Sequence, residues 1–242
     1  MTVVLELAGI SKSYGSLKVI DDLSVHLEAG EALGVVGPNG SGKTTMLHLA
    51  AGQLRPDAGR VLFDAEDVTA LPARARCRLG VARTYQIPQP FPGMTVYENV
   101  LVGATFGRRE PAASLRGTCL EALTAAGLER RANQPAGSLN LLDRKRLELA
   151  RALATGPRVL LLDEIAGGLT ELEIGSLVAT IEELHGAGMS IVWIEHIVHA
   201  LLSVVDRMVA IDFGRKLIEG EPRAVMASPE VRDVYLGSEV EE

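Results

Sequence analysis

The chain has 242 residues and a formal net charge of −7, which removes the broad basic surface that a nucleic-acid binder needs. At 47% hydrophobic and 23% charged residues it has the make-up of a folded globular domain, long enough for one large α/β unit or a core with a small subdomain. Cys77 and Cys119 lie far apart without metal-like spacing, and no apolar run reaches transmembrane length or follows the order of a signal peptide, so a reducing compartment and a protein at most peripheral to a membrane are expected.

Val3 to Leu7 alternates and is β-branched, which predicts a strand, followed by a turn at Ser11–Gly15. Leu23–Leu27 predicts a second strand, and Ala32–Val36 a short buried one. Gly37-Pro38-Asn39-Gly40-Ser41-Gly42-Lys43-Thr44-Thr45 matches the phosphate-loop pattern G-x-x-x-x-G-K-[ST] in full. Two or three antiparallel strands ahead of such a loop are unusual for a simple doubly wound fold. The apolar spacing of Thr44–Leu54 predicts the helix that this motif needs after it. Glycines there let successive backbone N–H groups turn toward phosphate oxygens, and the helix N-terminus adds its dipole. Lys43 would reach the terminal phosphates and Thr44 would ligate Mg²⁺.

Arg60–Phe63 predicts a further strand, Leu71–Arg76 the start of a short basic helix, and Leu79–Tyr85 a strand ending at Gln86. Ile87–Gly93 carries three prolines and predicts a rigid loop presenting Phe91. From Val96 to Leu153 the pattern is helical, interrupted by the polar connector Glu129–Gln134, so a helical insertion is expected. An αβ texture resumes with the apolar run Val159–Leu162, a strand buried on both faces. A helix at Leu172–Leu184, a strand at Ser190–Ile194, a helix at His196–Leu202, a hairpin at Arg207–Asp212 and Lys216–Glu219, and a closing helix at Val231–Leu236 complete the reading.

The run Val159–Leu162 ends in Asp163-Glu164. A carboxylate at the C-terminal end of a parallel strand beside a phosphate loop lies where Mg²⁺ would sit, and Glu164 could polarise an attacking water. Gln86 could reach the metal and the water, although alone it reads more readily as a solvated loop glutamine. His196, just past a strand, could hydrogen-bond a γ-phosphate, although a lone histidine is more often structural. Tyr14 could stack on adenine or be an ordinary turn residue. Arg74, Arg76, Arg78 and Arg83 read as solvated or subunit-facing.

In this order and spacing the residues resemble the nucleotide-binding subunit of an ABC transporter, from Leu5 to Leu236. The resemblance implies an adenine platform at Tyr14, phosphate contacts from Gly37 to Thr45, and Mg²⁺ ligands at Thr44, Gln86 and Asp163. It also implies a catalytic Glu164, assisted by Gln86 and a switch His196. The fold implied is α/β: a P-loop NTPase core with an antiparallel β subdomain in residues 1–86, a helical subdomain in 87–156 and the second part of the core in 157–242. Within the family, Arg83-Thr84-Tyr85-Gln86, Phe91–Val100, Ile194-Glu195-His196 and the closing Tyr235-Leu236-Gly237 are similar to the ATPases of branched-chain amino acid uptake. The ATPase of lipopolysaccharide export has a similar size and tail. ATP and Mg²⁺ are the implied cofactors. Membrane permease subunits and a second ATPase subunit are the implied partners, with a solute-binding protein reached indirectly. The implied location is the cytoplasmic face of the membrane. A soluble ABC ATPase and a P-loop kinase are the competing classes.

Three positions depart from the family. Where the signature loop usually reads Leu-Ser-Gly-Gly-Gln, this chain has Leu139-Asn140-Leu141-Leu142-Asp143. Leu142 is expected to block a close backbone approach, and Asp143 to face phosphate or cap the next helix. Ile165 replaces a proline and Thr170 an aspartate. The altered loop favours a heterodimer, in which a partner's intact signature completes this chain's ATP site.

Overall fold

The computed structural model describes residues 2–107 and 114–238, with side chains of the closing helix described as far as Val234. Two sheets organise it. β1 (Val3–Tyr14), β2 (Leu17–Glu28), β4 (Ala58–Phe63) and β5 (Glu66–Asp67) form an antiparallel sheet in the order β2-β1-β4-β5. β3 (Ala32–Val36), β6 (Val81–Arg83), β7 (Val159–Asp163), β8 (Ser190–Ile194), β9 (Arg207–Asp212) and β10 (Arg215–Gly220) form a second sheet in the order β10-β9-β3-β8-β7-β6. Its pairs are parallel except β9–β10, which is the expected hairpin.

β3, β7 and β8 are buried at every position, as continuous apolar runs require when both faces are covered. One face, with Leu33, Val35, Leu161 and Ile194, packs on α1 (Lys43–Ala51) and the antiparallel sheet. The other, with Val36, Leu160, Leu162 and Trp193, packs on α5 (Leu141–Ala154), α6 (Glu171–Gly186) and α7 (Val198–Val204). A third core joins α3 (Val96–Gly107), α4 (Leu115–Ala125) and α5 through Val100, Leu123 and Leu147. Helix α5 thus serves two cores: Leu147 and Ala150 face the helices, while Leu149 and Ala152 face the sheet. α2 (Ala73–Leu79), α8 (Pro222–Ala227) and α9 (Pro229–Ser238) complete the chain. The Tyr235-Leu236-Gly237 backbone belongs to α9, and its side chains lie outside the described residues.

Several boundaries move for stated reasons. Ser11–Tyr14 is strand rather than turn, because it continues the ladder with β2, where Lys12 pairs with Ile20, Ser13 with Lys18 and Tyr14 with Leu17; Lys12 Nζ and the Ser13 N–H also donate to the Asp57 carboxylate at 2.7 Å. β6 stops at Arg83, leaving Gln86 in the loop beyond. The helix after His196 begins at Val198, so His196 stands in the loop between β8 and α7. Asp143 is not the cap of α5. Asn140 is, accepting from the Asp143 N–H at 2.8 Å. Thr170, in place of the aspartate, forms a capping box with Glu173 at the start of α6.

Arg76 overturns the solvated reading. It is 1% exposed and spends its guanidinium on backbone carbonyls. It donates to Leu49 and Ala50 at 2.7 and 2.9 Å, and to Leu71 and Thr69 at 3.1 Å. The first two are carbonyls left over at the C-terminus of α1. Burial lowers its pKa to about 10, so it stays charged at neutral pH. Arg76→Met strands those carbonyls and is expected to cost about 2–4 kcal/mol of folding stability, read by chemical denaturation. Arg76→Lys, which cannot reach four carbonyls at once, is expected to recover less than half.

Candidate nucleotide site

Register brings the candidate groups to one edge of the central sheet. Val35 of β3 and Asp163 of β7 both stand opposite Ile194 of β8, so three parallel strands end level. The phosphate loop leaves β3, Asp163-Glu164 leaves β7, and Glu195-His196 leaves β8. Outside the C-terminal ends of parallel strands is where such sheets leave a crevice.

The loop is shaped by what lies beneath it. Gly37 has φ 151°, and a Cβ there would stand 2.1 Å from the Ile211 carbonyl. Gly42, at φ 102°, would place one 2.8 Å from the Val19 carbonyl. Neither position admits a side chain. The β9–β10 hairpin tip also braces the loop: the Gly214 N–H donates to the Ser41 carbonyl at 3.0 Å. Above this floor is a cleft of about 180 Å³ lined by Asn39, Gly40, Lys43, Thr44, Thr45 and Glu164. Lys43 is 6% exposed, and its Nζ donates to the Gly37 and Pro38 carbonyls at 2.8 Å each. Burial lowers its pKa, against the pull of Glu164 and Asp163.

Glu164 is the hub of the facing wall. Gln86 Nε2 donates to its Oε2, and His196 Nε2 lies 2.8 Å from its Oε1. The residue is held at φ 46°, a left-handed conformation that costs a non-glycine residue about 1–3 kcal/mol and is commonest at functional positions. Asp163 is buried, and Arg83 donates to its Oδ2 at 2.6 Å. Arg83 is therefore an inward, paired residue and not a solvated one; it also lies over the Tyr85 ring at 5.4 Å. Asp163 Oδ1 is buried without a hydrogen-bond partner, next along the chain from Glu164, which lines the cleft with the exposed Thr44. That unsatisfied oxygen and the Thr44 hydroxyl suit a hydrated divalent cation bound with phosphate. Among the described residues no group of three or more His, Cys, Asp or Glu is placed to hold a metal ion. Tyr14, at the end of β1, is half exposed. The inward placement of Arg83, Glu195 and Lys145 escapes sequence reasoning. A lysine at the core register Leu142, Lys145, Leu149, Ala152 is a visible signal for one of them.

The start of α5 differs from expectation. Leu142 packs inward on the sheet-side core, and it is Leu141, 42% exposed, that lies by Gly168. Asp143 points inward too, 4% exposed and 3.2 Å from Arg131.

A glycine cradle after one parallel strand, with carboxylates at the end of the next strand but one, makes this a P-loop nucleoside triphosphatase. The helical insertion between the two narrows it to the ATP-binding cassette. The family model for the ABC transporter matches residues 20–167, and the chain belongs to that family, as an ATPase subunit of a transporter. It is 38% identical over 232 residues to a probable ABC transporter ATP-binding protein of Azorhizobium caulinodans, covering 96% of this chain and 82% of that one. It is 32% identical to the lipopolysaccharide export system ATP-binding protein LptB of Acidithiobacillus ferridurans, over 99% of both chains. It is also 32% identical to the high-affinity branched-chain amino acid transport ATP-binding protein BraF of Pseudomonas aeruginosa, over 97% and 98%. Among solved structures, the ADP conformation of the cassette MJ1267 superposes with a TM-score of 0.89 at 29% identity, over 98% of this chain and all of that one. The dimeric post-hydrolysis state of the cassette MJ0796, bound to ADP and phosphate, superposes at 0.81 and 25% identity, over 90% and 99%. Among the described residues no helix is long and apolar enough to cross a membrane. Cassettes of this family dimerise and work with membrane permease subunits.

Lys43→Ala is expected to leave the fold intact, because the side chain's partners are two carbonyls of its own loop and no other element hangs on them. ATP affinity should fall by about 1.5–3 kcal/mol, the worth of a charge-assisted phosphate contact. Equilibrium binding of a fluorescent ATP analogue, beside a far-UV spectrum, checks both.

Proposed function

We propose that this site binds ATP and Mg²⁺ and hydrolyses the γ-phosphate with Glu164 as general base. The observation that carries the reading is that Lys43 and Glu164 line one cleft, with Gln86 and His196 both held on Glu164 and Asp163 beside it at the strand end. Backbone N–H groups from Gly37 to Thr45 and the start of α1 would cradle the phosphates. Lys43 would exchange its two loop carbonyls for phosphate oxygens. Thr44, Asp163 and Gln86 would hold Mg²⁺, which would neutralise phosphate charge. Because Gln86 and His196 both sit on Glu164, movement of both toward the nucleotide would free that carboxylate to act on water. Tyr14 would offer its ring to adenine.

In transport, we read the chain as the ATPase of an importer for branched-chain amino acids or a similar polar solute, peripheral on the cytoplasmic face. A solute-binding protein would act upstream. The support is the matched segments around Gln86, Phe91 and His196, together with the BraF relative. The LptB relative, at equal identity, makes lipopolysaccharide-type export the second reading. Permease contact would fall on the 87–156 helical unit and the loop at Phe91. That ring is partly exposed, stacked by Arg151 at 5.2 Å, and its backbone is clamped by buried Asn99. A heterodimer is favoured over a homodimer. Asn140 turns its carbonyl oxygen to its own helix, and the exposed Leu141 stands beside that helix N-terminus where small residues are usual.

Glu164→Gln cannot take a proton, so it should keep ATP binding and lose at least about 100-fold in turnover. Unimpaired hydrolysis by the variant would assign the base elsewhere. Separately, steady-state ATPase of the chain alone is expected to be weak, and to rise at least tenfold with a partner cassette that carries an intact signature loop.

A further inference from the structure

Two buried charges behind the site take no part in the chemistry above. Glu195 stands between β8 and His196 and is 2% exposed. Its Oε1 accepts from the Ala166 N–H at 2.6 Å and its Oε2 from the His196 N–H at 3.2 Å. Ala166 lies two residues past Glu164, so one carboxylate joins the backbone of the Glu164 loop to that of the His196 loop. Lys145, on α5, is 3% exposed, and its Nζ donates to the Glu164 carbonyl at 3.4 Å. Burial lowers the lysine's pKa, and Glu195, then Glu164, are the charges that oppose the shift. Burial likewise raises that of Glu195, against backbone N–H groups of Ala166, His196 and Ile197.

An apolar pair would fill this space at less cost than two desolvated charges, so packing alone does not explain them. Their geometry offers another reason. Lys145 is five residues, about 7.5 Å along the axis, from the Asn140 cap that opens α5. The helix is rigid over that span, so a displacement at its N-terminus arrives at Lys145 undiminished. Lys145 and Glu195 together touch the carbonyl of Glu164, the loop after it and the backbone of His196.

We propose that Lys145 and Glu195 are positioning residues that fasten the loops of Glu164 and His196 to this chain's own α5. The inference rests on the reading of Glu164 as the base.

The test uses the full chain, alone or with its partner ATPase, whichever gives measurable hydrolysis of Mg-ATP. Removing either charge leaves the other buried and uncompensated, so the decisive variant is Lys145→Met combined with Glu195→Gln. Its melting temperature is expected to stay within about 3 °C of the parent, and its KM for ATP within about twofold. Its kcat is expected to fall about tenfold to a hundredfold, as for other misplaced catalytic groups. Lys145→Arg, which keeps both the charge and a donor, should hold kcat within about threefold of the parent and keeps the test open if the double variant does not fold. Parental kcat in a stable double variant overturns the proposal, as does a Lys145→Arg as impaired as Lys145→Met. Glu164→Gln runs alongside: a parental rate there overturns the reading of Glu164 and this inference with it. A dead Glu164→Gln beside a fully active double variant overturns this inference alone.

Discussion

The site depends on a floor with no room in it. Gly37 and Gly42 lie so close to the Ile211 and Val19 carbonyls that a single methyl group at either would collide with backbone. Those carbonyls belong to β9 and β2, one from each sheet, so the phosphate loop is cast between the two sheets. Its backbone conformation is therefore set by the packing of the two sheets. The same packing explains why the antiparallel sheet precedes the loop in sequence. Without β2 below and the Gly214 tip beside it, nothing would hold Gly42 in its left-handed conformation.

Above that floor the problem is charge. Asp163 and Glu164 are neighbours at the end of a buried strand, and Lys43 is desolvated opposite them. The ligand-free chain satisfies each of these with a temporary partner. Arg83 holds one oxygen of Asp163, Gln86 and His196 hold Glu164, and two loop carbonyls hold Lys43. One Asp163 oxygen is left over. Buried polar groups without partners are rare, and those that occur tend to mark function. The left-handed backbone at Glu164 fits the same picture of a site kept under tension by the strands around it.

How much of the molecule is legible in its sequence depends on the range of each interaction. β3 and β8 are legible to the residue, because a strand buried on both faces is a continuous apolar run. The phosphate loop is legible because its nine residues are contiguous. The end of β1 is not, since Ser11–Tyr14 lacks the alternating apolar pattern and is strand through its backbone ladder with β2, with Asp57 holding Lys12 and Ser13 from the side. Arg76 and Arg83 look like surface charges because their partners are the carbonyls of α1 and Asp163, from 26 to 80 positions distant. The altered signature misleads in its detail. Asn140, aligned with serine, is the cap, and that choice turns Leu142 and Asp143 inward and leaves Leu141 at the surface.

The central claim is that this loop is a preformed phosphate cradle whose lysine is parked on its own backbone. A crystal structure of the chain with Mg²⁺ and a non-hydrolysable ATP analogue tests it most directly. The account requires the backbone from Gly37 to Thr45 to superpose on the ligand-free loop, with Lys43 Nζ moved from the Gly37 and Pro38 carbonyls to phosphate oxygens. A triphosphate bound away from this loop, or one beside it with Lys43 still on those carbonyls, would contradict it.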